Sequence, residues 1–190
     1  MPALDITTMI DRYGRLEQRV RMQMERQCQA TCSHCRQVCC RIHFCAETRE
    51  SAFLQRVVRR FSPKAEFDPQ CGWLSPAGCT LVAGRPPVCY EFLCGDIPGA
   101  LSGDIHHRHG MLALSMLITH TGRRAIGGRH LVEATRDADL RRIHPQRFMA
   151  RLDEAEAALE EVVAVLDGRR SYGAAARTLS RIAPPPRTDA

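Results

Sequence analysis

Residues 28–45 read CQATCSHCRQVCCRIHFC, and residues 71–94 read CGWLSPAGCTLVAGRPPVCYEFLC. All ten cysteines of the 190-residue chain lie in these two stretches. Cysteines buried as small hydrophobes have no reason to cluster, so the set reads as metal ligands or redox groups. Cys32 and Cys35 form a C-x-x-C, whose two thiolates can converge on one metal from a tight turn. Cys39 and Cys40 are adjacent and their side chains diverge, which suits two metals, two irons of a cluster, or one metal with a buried neighbour. The four cysteines of the second stretch suffice for a tetrahedral zinc site or for one iron–sulfur cluster.

The surrounding sequence decides how such stretches are held. Residues 4–27 carry Ile6, Ile10, Tyr13, Leu16 and Val20 at helical spacing and run straight into the first cluster. Residues 46–61 give a second amphipathic stretch through Phe53, Leu54, Val57, Val58 and Phe61, stopped by Pro63. Residues 62–104 are broken by proline and glycine, with room only for short strands at 80–83 and 88–93. Asp104 can cap a helix running to about His120, with Gly122 as its terminator. Pro145 suits the first turn of a helix that continues through Phe148, Leu152, Leu159 and Val162 to Gly168. A last helix is expected over 171–182, ahead of the proline-rich tail. The expected fold is mainly α, with an irregular cysteine-rich metal-binding centre packed among amphipathic helices. It divides into an N-terminal helix (1–27), a cysteine-cluster region (28–104), a helical region (105–183) and a tail (184–190), all in one compact domain.

Composition narrows the setting. Residues 1–19 carry Asp5, Asp11 and Glu17 and no apolar h-region, so no secretory leader is read and a cytoplasmic chain is expected. In that reducing compartment clustered thiols bind metal or do redox work, and structural disulfides are rare. No apolar run is long enough to span a membrane. The net charge of +6 comes almost wholly from arginine, with Lys64 the sole lysine, a composition typical of a GC-rich bacterial genome. The basic residues are spread along the chain and aromatics make up only 5%, which argues against nucleic acid as a partner.

The second stretch resembles the C-terminal signature of the YkgJ-like cysteine-cluster family, described as a zinc- or iron-chelating domain. The likeness rests on C-x5-R-P-x2-C-x2-F-x-C, running from Cys79 through Arg85, Pro86, Cys89 and Phe92 to Cys94. The family's upstream C-x2-C-x2-C-C corresponds here to Cys32, Cys35, Cys39 and Cys40, one residue longer, and Val82 stands where an aromatic is usual. Over about residues 28–98 the resemblance implies metal binding by Cys32, Cys35, Cys39, Cys40, Cys71, Cys79, Cys89 and Cys94. Cys28 and Cys45 lie outside the shared pattern and are expected to be bystanders. Related cysteine motifs in flagellin lysine methylases imply an iron–sulfur cofactor. Eight thiolates exceed one zinc site, so an iron–sulfur cluster is expected ahead of zinc, and both metals stay open. Arg85 is expected to bond nearby carbonyls or offset thiolate charge.

Other candidates carry less. His34 and His43 lie among the thiols and could replace one as a ligand. His106 and His109 share a helix face at i, i+3, but solvated histidines near a helix start are the commoner case. His120, His130 and His144 are isolated, and Gly127-Gly128 reads as a loop. No phosphate loop, dinucleotide fingerprint, nucleophile elbow or zincin helix is present. A Cys40–His43 nucleophile pair is set aside, since a clustered cysteine is more often a ligand. The leading expectation is therefore a cytosolic metal-binding protein. The alternatives are a cluster-dependent enzyme acting on a protein or small substrate, for example by methyl transfer, and a thiol-based metal carrier or redox sensor. A protein partner is left open.

Overall fold

The computed structural model describes residues 5–32, 41–76, 78–94, 96–97 and 104–185. It is mainly helical. In chain order the helices are α1 (Ile6–Cys32), α2 (Cys45–Glu50), α3 (Ala52–Phe61), α4 (Val88–Glu91), α5 (Ile105–Gly122), α6 (Asp137–Leu140), α7 (Pro145–Leu166) and α8 (Tyr172–Ile182). A small antiparallel hairpin joins β1 (Leu74–Ser75) to β2 (Gly78–Cys79), with Leu74 opposite Cys79. None of the described helices is long and apolar enough to cross a membrane.

The long helices form because their apolar residues repeat every three or four positions. α1 buries Met9, Ile10, Tyr13, Leu16 and Val20, and α7 buries Phe148, Leu152, Ala155, Leu159 and Val162. α5 is buried over most of its circumference and is the central helix, packed on α7, α8, α1 and α4. The rings of Tyr13, Phe53 and Phe148 meet where α1, α3 and α7 converge, with centroids 5.2–6.5 Å apart. One hydrophobic cluster continues from Met9 to Ala183.

Three ion pairs fix the register of α1 against α7. Arg12 meets Asp153 at 2.8 Å, Arg19 meets Glu160, and Arg26 meets Asp167 at 3.1 Å. The partners advance by the same heptad step in the same direction, so the two helices run parallel. Such exposed pairs add little stability singly, but a slip of one turn would mismatch all three.

The helix starts follow their caps. Asp104 Oδ1 accepts from the His106 and His107 amides at 2.9 and 3.0 Å, and the His144 ring caps α7 just ahead of Pro145. Gly168, at φ 69°, closes α7 in the left-handed conformation.

Four expectations are corrected. α1 does not stop at residue 27 but continues to Cys32, because nothing in Cys28, Gln29, Ala30 and Thr31 breaks a helix. The stretch 46–61 is two helices divided at Ser51, whose extended backbone leaves its side chain free to cap Leu54 N–H. Residues 80–83 form no strand; the hairpin lies earlier, at 74–79. Residues 88–91 are a helical turn rather than a strand, because Pro86 and Pro87 preset φ for a helix start.

Leu159, 1% exposed, lies within the α7 seam. Leu159→Asp would bury a carboxylate there and should cost about 3 kcal/mol or more. Urea unfolding checks this, and an unchanged midpoint would place that face in solvent.

Candidate functional site

The segment from Leu81 to Pro87, which leads into α4, has no helix or strand, yet side chains from three elements grip it and the helical turn after it. Glu17, on the buried face of α1, accepts from the Gly84 amide at 2.7 Å, the Arg85 amide at 2.8 Å and the Tyr90 hydroxyl at 2.8 Å. Thr48 of α2 donates to the Gly84 carbonyl at 2.8 Å, and Ser62 accepts from the Val82 amide at 2.8 Å. Arg21 donates to the Leu81 carbonyl at 3.0 Å. Gly84 is required by the tightness of this grip. Its φ is 95°, and a Cβ there would stand 2.4 Å from Val58 Cγ2 and 3.1 Å from the Leu54 carbonyl.

Arg85 then folds back over its own loop. Its guanidinium donates to the Leu81 carbonyl at 2.9 Å and the Cys79 carbonyl at 3.3 Å, as its place in the sequence suggested. Burial opposes its charge, but Tyr90, Cys79, Glu17 and Cys89 outweigh burial and raise its pKa. At Glu17, by contrast, burial wins. Despite three donors, its carboxyl is pushed up to about 7.

This loop lines a cavity of about 90 Å³ with Cys79, Arg85 and Cys89, closed by Arg41, Phe44, Cys45, Leu74 and Phe92. Three cysteines from three separate elements thus face one space. Beyond Cys89 and Phe92 lies a second, more open hollow, lined by Cys28 and Cys32 of α1 together with Met24, Leu93 and Ile97. Cys89 and Phe92 belong to both. Phe92 is 46% exposed and leans on Phe44, with ring centroids 5.9 Å apart.

The remaining expected ligands sort by position. Cys35, Cys39, Cys40 and His34 lie outside the described residues. Cys71 is exposed, in a turn whose amides Asp68 caps at 2.9 Å, and a hydrogen bond to Asp68 holds its thiol above the ordinary range. Its neighbour Gly72 touches Cys45, since a Cβ there would lie 2.7 Å from the Cys45 sulfur. Cys94 is half-buried against the hydrophobic cluster. Among the described residues, no three His, Cys, Asp or Glu side chains stand close enough to hold one ion.

The structure brings in residues that sequence reasoning passed over. Cys45, read as a bystander, is in the cavity because α2 begins at it and turns it toward the hairpin. Cys28, also read as a bystander, is buried on α1 and lines the second hollow. Glu17 was legible in principle: an acid at position 17 falls on the stripe of Tyr13, Leu16 and Val20. The histidines sort differently. His109 is core, bonded to Tyr172 Oη at 2.6 Å and to the Ala183 carbonyl at 3.2 Å, so neither ring nitrogen is open to a metal. His106 stacks on Tyr172 with centroids 4.1 Å apart, and His43 packs edge-on against Phe44.

Compared with known protein families, curated proteins and solved structures, the chain matches none.

Two outcomes follow from the grip on the loop. Gly84→Ala should cost about 2 kcal/mol or more and lower the melting temperature, through both the strained φ and the overlap with Val58. Glu17 makes stability depend on pH. The folded chain keeps this proton up to about pH 7, whereas the unfolded chain releases it near 4.5. Its contribution is therefore full below 4.5 and declines as pH rises through about 7. Glu17→Gln should remove that decline. Urea unfolding of both chains across this range gives the difference, and an identical pH slope in the two would show that Glu17 is ionised throughout.

Proposed function

We propose that the chain is a metal-binding protein whose thiolates gather around Cys89 to hold an iron–sulfur cluster or a zinc ion. The observation that carries this reading is the sharing of Cys89 between two cysteine-lined hollows. The chain enters residues 33–40 from Cys32, on one hollow, and leaves them at Arg41, on the other. The residues that flank the segment of Cys35, Cys39 and Cys40 thus line the two hollows that share Cys89. The donor chemistry fits, since soft thiolates suit both metals. The described thiols alone do not complete a site, so the reading requires ligands from 33–40. A thiolate centre of this kind belongs in a reducing compartment, which fits a cytoplasmic protein.

The chain should come out of anaerobic purification with bound metal. Absorbance near about 400 nm would indicate iron–sulfur, and a colourless zinc protein would indicate the other metal. Cys89→Ser and Cys79→Ser should each lose most of it, while the helix over 145–166 stays resistant to protease. Cys45→Ser should also lose metal, in contrast to its expected place as a bystander. Full occupancy in both Cys89→Ser and Cys79→Ser would overturn the site.

A further inference from the structure

On the side of the helical region formed by the ends of α5, α7 and α8 lies a recess of about 480 Å³ lined by His120, Arg123, Arg124, Arg151, Glu154 and Arg181. Four guanidiniums face one carboxylate there, and that carboxylate is already engaged, 3.0 Å from His120 Nε2. Arg12, Arg19 and Arg26 on α1 are each matched by an acid across the α1–α7 seam. In the recess, among the described residues, no carboxylate stands within ion-pair reach of Arg123, Arg124, Arg151 or Arg181. Glu91 acts on Arg123 from outside the lining, but four arginines beside the single carboxylate of Glu154 still repel each other, so a fold gains little from the arrangement itself.

Two further observations point to a ligand. Arg151 donates Nη1 to the His120 carbonyl at 3.3 Å, which fixes its fork, yet its Nε has no partner although closed to solvent. His120 Nδ1 is in the same condition. Arg124 is the second. It has φ 55° and, among the described residues, is the only non-glycine in the left-handed region. Glycine would relieve that strain; arginine there presents a charge at the recess.

We propose that this recess binds a phosphate group, as inorganic phosphate or as the phosphoryl end of a small phosphomonoester. The lining itself sets four arginines against Glu154, and with Glu91 acting on Arg123 from outside it the recess stays net positive. A dianion satisfies that excess better than a single carboxylate does. Guanidinium forks match phosphate oxygens in pairs, and a tetrahedral group offers oxygens to several forks at once. Burial holds His120 below its ordinary pKa, against the pull of Glu154, so the charge of the recess comes from the arginines. The recess is larger than one oxyanion requires, which leaves room for the organic part of an ester. No thiol takes part, so this site stands or falls separately from the metal centre.

Calorimetric titration of the full chain with inorganic phosphate and with glycerol 3-phosphate, at constant ionic strength and with acetate as control, tests the proposal. Saturable binding of either phosphate, tighter than acetate, is expected. The tighter of the two tells free phosphate from an ester. Arg181→Ala and Arg151→Lys should each weaken binding about tenfold or more, since a charge-assisted bidentate contact is lost. Arg124→Gly is the sharper variant: it should raise the melting temperature while weakening phosphate binding several-fold. A merely structural arginine would give the first effect without the second. No saturable heat up to about 10 mM phosphate or ester, or affinity unchanged in Arg181→Ala and Arg151→Lys, would overturn the site.

Discussion

The buried carboxyl of Glu17 is the point on which the arrangement of the thiols depends. It lies on α1, the helix that ends at Cys32, and it binds the loop that runs from Cys79 to Cys89. Two cysteine-bearing segments far apart in sequence are thereby held in one neighbourhood by a group that is not itself a thiol. A carboxyl sealed from water is costly unless its oxygens are met, and here two amides and a phenol meet them. Removing any one partner would strand the rest, so the loop conformation and the helix position are mutually required. Gly84 belongs to the same constraint, since only a residue without a side chain lets the loop approach α3 closely enough for its amide to reach Glu17.

The parallel seam between α1 and α7 supplies the other half of that constraint. Glu17 reaches the loop only if α1 is set at the right height. The repeated pairs at Arg12, Arg19 and Arg26 carry the register along the helix from the aromatic junction of Tyr13, Phe53 and Phe148 toward Cys28 and Cys32. Each pair is weak, but a register needs discrimination against slipped alternatives more than it needs depth.

How much of this was legible depended on whether the signal was local. The helices over 105–122, 145–166 and 172–182 were readable because period and cap coincide: Asp104 and Pro145 stand one turn ahead of apolar residues at helical spacing. Where local signals conflict, the sequence misleads. Val88, Tyr90 and Phe92 alternate like a strand, yet two preceding prolines set the backbone for a helical turn, and that preference wins over four residues. The cysteines show the opposite limit. Their clustering was plain, but their division between two hollows depends on α1 running on to Cys32 and on α2 starting at Cys45, neither of which the cysteine spacing encodes. The stretch broken by proline and glycine must also be held in place. Glu17, Thr48 and Ser62 do much of that holding through hydrogen bonds to the backbone, which no residue pattern announces.

The same network bears on the character of the cavity. Arg85 satisfies its donors on the carbonyls of Leu81 and Cys79, so its charge faces the cavity without being spent on a paired carboxylate side chain. Among the described residues Glu17 is the acid that acts on this charge, and burial keeps its pKa near neutrality. A protonated Glu17 leaves Arg85 as a net positive charge beside Cys79 and Cys89; an ionised one neutralises much of it. The thiols therefore sit in a field that a buried carboxyl outside the cavity can adjust. A field of that sign lowers the cost of gathering several thiolates in one small space, which is the chief electrostatic obstacle to any centre built from sulfur alone.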